Sequence, residues 1–107
     1  MPWVKLDDSF HDHPKVLRAG LPAIGLHVVA LTHCSRYLTD GHVSPEFVSQ
    51  KAGKNGQKIA AALVTAGLWT VNDRGWTIHD YLDYNPSRTQ VVETRRKESE
   101  RKARGRA

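Results

Sequence analysis

Apolar and polar positions change rhythm several times along the chain, and each change marks an element. Pro2-Trp3-Val4-Lys5-Leu6 reads as a short strand with Trp3 turned inward. Asp7 to His13 is a run of turn formers and helix caps. Asp12 or His13 is placed to cap a short helix from Pro14 to about Ala19, with proline in the first turn and Gly20 as its stop. A second helix opens at Pro22 and runs to about Leu38. Its apolar residues Ile24, Val28, Leu31 and Cys34 or Leu38 recur at helical spacing, and as the longest such stretch it is the expected core helix.

The second half is punctuated more sharply. Thr39-Asp40-Gly41 is a turn and His42-Val43 a very short strand. Ser44-Pro45 supplies a cap and first helical residue for a third helix ending at Lys51 or Ala52, with Phe47 and Val48 inward. Gly53-Lys54-Asn55-Gly56 breaks it, and a fourth helix runs from Gln57 to Ala66 until Gly67 stops it. Leu68 to Val71, the loop Asn72-Asp73-Arg74-Gly75 and Trp76 to His79 form a hairpin pattern. Tyr81 to Tyr84 closes a domain over residues 1–86. Beyond it, Ser87-Arg88-Thr89-Gln90 fits a capping box that opens a polar helix with almost no apolar face, so residues 87–107 read as a basic, helical, partly flexible tail.

This order predicts a chain that is mainly α with a small β-hairpin (α+β): a winged helix-turn-helix followed by a C-terminal basic helix. In such a fold one helix enters the major groove, its partner braces it against the phosphates, and the hairpin adds a second contact. The predicted core is Trp3, Val28, Leu31, Phe47, Ile59, Leu63 and Trp76, with Trp69 and Trp76 as anchors under the hairpin rather than stacking platforms.

Charge sharpens the picture. Residues 1–49 hold four Lys/Arg against five Asp/Glu, whereas residues 50–107 hold twelve against six, so the formal +5 of the chain comes from its second half. That asymmetry suggests a polyanionic partner on one side of the molecule. The lone cysteine, Cys34, rules out an internal disulfide and fits a reducing compartment. With no apolar run of membrane length and no secretory leader, the expected location is the cytoplasm, with no membrane partner.

Helical geometry nominates the reading face. At about 100° per residue, Ile59, Ala62, Leu63 and Ala66 share one side of the fourth helix, and Gln57, Lys58, Ala61 and Thr65 the other. Gln57 suits adenine, Lys58 guanine or a phosphate, and the small Ala61 allows close approach to base edges. Lys51, Lys54 and Asn55 precede this face. Arg74 sits at the hairpin tip, within reach of a phosphate or a narrow minor groove. In the tail Arg88, Arg95, Arg96 and Lys97 are the candidate phosphate contacts, with Glu93–Lys97 and Glu98–Lys102 spaced for favourable helical ion pairs. Double-stranded DNA is thus the expected partner, and the basic tail is the expected place for a protein partner.

Other chemistry finds little support. His11-x-His13 and His33-Cys34 lack a complementary metal-ligand set, and Asp7 and Asp8 are adjacent residues that diverge, so no metal or cofactor is expected. No nucleophile triad, P-loop or dinucleotide fingerprint is present, and a binding protein rather than an enzyme is expected.

Three groups of segments carry a resemblance: Trp3 to Phe10 with His13-Pro14-Lys15, Arg36 to Gly41, and Gly75 to Ser87. Together they resemble the N-terminal winged-helix domain of actinobacterial phage and prophage helix-turn-helix proteins, usually described as DNA-binding or replication-initiation proteins. The resemblance implies DNA binding in a phage or mobile-element setting, with replication initiation as the leading role. Transcriptional regulation or recombination support is the alternative within DNA binding. A protein-binding adaptor directed at a host factor is the alternative of another class, and it would more often expose an apolar patch where this chain has Lys54, Gln57 and Lys58.

Overall fold

A computed structural model describes residues 3–105; Met1, Pro2, Arg106 and Ala107, and the predictions that fall on them, lie outside the described residues. The chain is mainly helical with a small three-stranded antiparallel sheet. A 3-10 turn at Phe10–Asp12 leads into α1 (Pro14–Ala19), α2 (Leu21–Tyr37), β1 (His42–Val43) and α3 (Pro45–Ala52). A second 3-10 turn at Gly53–Asn55 joins α3 to α4 (Gly56–Ala66), followed by β2 (Trp69–Asn72), β3 (Gly75–Ile78), α5 (Tyr81–Tyr84) and α6 (Arg88–Gly105). The sheet order is β1-β3-β2, with Val43 opposite Trp76 and Trp69 opposite Ile78.

Local chemistry sets most boundaries. His13 caps α1 by accepting the Lys15 N–H at Nδ1 (3.1 Å), and Ser44 caps α3 by accepting the Phe47 N–H (3.1 Å). At the end of α4 the Leu68 N–H reaches back to the Leu63 carbonyl and the Gly67 N–H to that of Val64, a closure that needs the left-handed backbone of Gly67 (φ 90°). The capping box ahead of α6 forms in full, with Ser87 N–H to Gln90 Oε1 at 2.8 Å and Gln90 N–H to Ser87 Oγ at 3.1 Å.

The core gathers between α2, α3, α4 and the sheet. Leu31, Phe47 and Leu63 are buried as predicted, and Trp69 is the largest side chain fully enclosed. Trp76 and Ile59 are half-buried and pack on the core edge. Trp3 departs from the reading: it is 85% exposed, no strand forms at residues 3–6, and only Val4 of this segment packs against the core. An alternating stretch becomes a strand only where a sheet edge receives it, and no backbone hydrogen bond ties these residues to the sheet among the described residues.

The phase of α2 also differs. The buried face is Ala23, Leu26, His27, Ala30, Leu31 and Cys34, while Val28 and Val29 are exposed and Ile24 is half-buried. The helix carries no charge before Arg36, so apolar periodicity gives it no unique inward direction. Packing chooses instead. Ala23 and Ala30 let neighbouring elements approach, and His27 turns inward because the buried Trp69 indole needs an acceptor, donating to His27 Nδ1 at 3.0 Å.

His27 is 5% exposed, and burial brings its pKa down from 6.5 to about 4. Its neutral form accepts from Trp69, whereas protonation would set two N–H groups against each other. Between those two pH values the folded state binds fewer protons than the unfolded chain, so stability falls as pH drops through that window and is lost below it. The loss at this site is on the order of 3 kcal/mol. Urea midpoints between pH 7 and pH 4 should show the decline, and His27→Gln, which keeps an acceptor but does not titrate, should flatten it. An equally steep decline in the variant would assign the acid sensitivity to another group.

Candidate nucleic-acid interface

The α3–α4 junction is built around a close approach. Gly56 is buried at the start of α4, where a Cβ would meet Val48 Cγ1 at 2.8 Å and the Val48 carbonyl at 2.9 Å. Only glycine lets α4 begin this near α3, so Lys51 at the end of α3, Lys54 and Asn55 in the connecting turn, and Gln57 and Lys58 in the first turn of α4 follow one another over one short stretch of surface.

All the predicted reading residues are exposed: Gln57, Lys58, Ala61 and Thr65 on α4, with Lys51, Lys54 and Asn55 before them. The buried side of α4 is Gly56, Ala60, Leu63 and Ala66, with Ile59 and Ala62 half-buried. The core-facing direction is therefore rotated by about 50° toward Ala60 relative to the predicted arc, while the exposed face keeps its predicted members. None of the exposed large apolar side chains lies on that face. Lys51 also flanks α2, where burial and then the Lys51 charge hold His33 below its ordinary pKa.

Arg74 stands at the tip of the hairpin, exposed, in the two-residue turn Asp73-Arg74. Its N–H donates to Asn72 Oδ1 at 2.8 Å. Asn72 does more than turn the chain: Nδ2 donates to Thr77 Oγ1 at 2.7 Å and lies 3.2 Å from His42 Nδ1, so one amide links all three strands at the hairpin end. Asn72 was legible only as a turn former, because its partners are 5 and 30 residues away. Arg74 shares a cleft with Thr39 and His42 rather than with α4, so the structure groups it with the α2–β1 turn.

Helix α6 touches the body at its start, where the Arg88 N–H donates to Asp40 Oδ1 at 2.6 Å, and none of its described residues is buried. Arg96 is engaged along the helix: it pairs with Glu93 and, at 2.6 Å, with Glu100, which also meets Arg104 at 3.8 Å. This ladder holds the Glu93 carboxyl below its usual range. Neither predicted pair, Glu93–Lys97 or Glu98–Lys102, forms among the described residues; at Glu93 the forked guanidinium of Arg96 takes the carboxylate instead. Among the described residues Arg88, Arg95 and Lys97 therefore remain outside ion pairs, as do Arg101 and Lys102.

The histidine and cysteine pair points apart, as adjacent helical residues must. His33 lies against Phe47 (ring centroids 4.3 Å) and Tyr37 (4.9 Å), while Cys34 is buried with its thiol toward the His42 carbonyl and its pKa pushed up by burial. Among the described residues no group of three metal-binding side chains forms, and no helix is long and apolar enough to cross a membrane. Compared with protein-family models, curated proteins and solved structures, the chain gives no match.

Proposed function

We propose that this chain is a winged-helix protein that binds double-stranded DNA, with α3 and α4 as the helix-turn-helix pair, α4 as the reading helix and β2–β3 as the wing. The observation that carries the reading is the exposed face of α4. Gln57, Lys58, Ala61 and Thr65 form a slim, polar surface free of acidic and large apolar side chains, entered through Lys54 and Asn55. The succession α2, β1, α3, α4, β2, β3 with sheet order β1-β3-β2 supports it, since this is the connection a wing requires beside a reading helix. Lys51, Arg74, Arg88, Arg95, Lys97 and Lys102 are assigned to phosphates, where they add affinity without sequence information. Replication initiation of a phage or mobile element is the biological role the sequence resemblance favours.

The test separates reading from positioning. Selection from randomised duplexes should return one enriched motif. On that motif Gln57→Ala should cost about 1–3 kcal/mol of discrimination at one base pair, while Lys54→Ala should weaken cognate and random duplexes alike. No enriched motif, or equal losses on both duplexes for Gln57→Ala, would remove α4 from the role of reader.

A further inference from the structure

A cleft of about 600 Å³ lies between the segment 5–10, the start of α1, the middle of α2 and the links that follow α4 and β3. None of the exposed reading residues of α4 lines it. Its walls are mostly apolar, formed by Leu6, Phe10, Val16, Leu31 and Leu68, and its size falls within the range of small-molecule sites. The charged residues around it, Lys5 and Lys15 against Asp7 and Asp80, balance in formal charge, which gives no preference for a charged occupant.

One buried polar group sets the chemistry. His27 lines the cleft and is 5% exposed. The Trp69 indole can only donate, so the bond at 3.0 Å makes His27 Nδ1 an acceptor and leaves the proton of the neutral ring on Nε2. Nε2 has no hydrogen-bond partner among the described residues. Thr39 Oγ1 is the one fully enclosed side-chain polar atom there that lacks a partner, so Nε2 is not sealed in protein. A fixed donor thus stands in an apolar cavity, held in its tautomer from behind by Trp69. An occupant that covers this N–H without answering it displaces the water that could, and forfeits a hydrogen bond.

The geometry points to a binding site for an uncharged, largely apolar small molecule that carries one carbonyl or heteroaromatic nitrogen and accepts a hydrogen bond from His27 Nε2–H. This site does not depend on whether the chain binds DNA. Two probes of nearly equal shape test it on the full ¹⁵N-labelled chain: 2-acetylnaphthalene, which has an acceptor, and 2-ethylnaphthalene, which lacks one. The ketone should bind saturably, move the His27 side-chain and Trp69 indole resonances, and bind about tenfold more tightly than the hydrocarbon. His27→Phe should abolish that difference. Because the variant also deprives Trp69 of its acceptor, Leu6→Trp at the exposed rim gives a second measurement, in which narrowing the mouth should weaken both probes. Equal affinities of the two probes for the native chain, no saturable binding of the ketone, or shifts confined to residues away from His27 and Trp69 would each overturn the proposal.

Discussion

Replacing Leu63 with alanine should lower the free energy of unfolding by about 2–5 kcal/mol, read as a shift in urea midpoint with an unchanged slope. Leu63 is fully buried, on a helix that packs against α1, α2 and α3 and continues into β2. The neighbours around it are fixed by separate devices: Gly56 brings α4 close to Val48, Gly67 locks the helix end, and Trp69 is tied to His27. A site pinned from so many sides relaxes poorly into a cavity, which puts the loss toward the upper part of the range. Domains of this size are stable by only about 5–15 kcal/mol, so the variant should melt well below the parent chain. Thr65→Ala, on the exposed side of the same helix, should change stability by no more than about 0.5 kcal/mol. A loss under 1 kcal/mol for Leu63→Ala would mean that α4 does not pack in this phase, and the exposed face proposed to read DNA would turn with it.

The same helix explains what the sequence discloses and what it hides. Its exposed members were legible because Gln57, Lys58 and Thr65 are polar and recur on one side, and a polar residue seldom enters a core without a partner. Its inward direction was less so. Alanine at 60, 61 and 62 looks alike on either face, and only the docking of α3 and the sheet decides that Ala60 is the buried one. Helix α2 carries this further: leucines, valines and alanines surround it on all sides, and the residue that settles its orientation is His27, which a hydrophobic pattern counts as polar. The partner that draws it inward is Trp69, 42 residues later. Boundaries, by contrast, depend on groups within a few residues of each other. Ser44 with Phe47, and Ser87 with Gln90, form in the structure as their spacing dictates. For the same reason the cleft behind His27 left no trace in the sequence, since it is assembled from segments scattered between residues 5 and 85.

The last expectation concerns α6, whose two sides differ in a way that makes its proposed contact with DNA measurable. At about 100° per residue, Glu93, Arg96, Glu100 and Arg104 fall on one side, where the ion pairs join them into a nearly neutral ladder. Arg88, Arg95 and Lys102 fall on the other, one above another at seven-residue intervals with Ser99 among them. Ladder pairs of this kind add only about 0.2–0.5 kcal/mol each, too little to hold an 18-residue helix with no buried residue against fraying. The free chain should therefore lose helix from its C-terminal end, and circular dichroism should show helix content rising when duplex is added. Bound cations displace condensed counterions, and each phosphate contact adds about 0.9 to the slope of log affinity against log salt. Arg95→Gln combined with Lys102→Gln should thus weaken binding to every duplex and make that slope shallower by up to about 1.8, twice the value for one contact. Glu93→Gln combined with Arg96→Gln removes a rung of the ladder without changing net charge; it should lower helix content slightly and leave the slope where it was. A chain ending at Ser87 should retain its preferred sequence and give the shallowest slope of the set. If the native chain, the Arg95/Lys102 variant and the shortened chain share one slope, α6 makes no phosphate contact, and its cationic side is better assigned to an acidic protein partner.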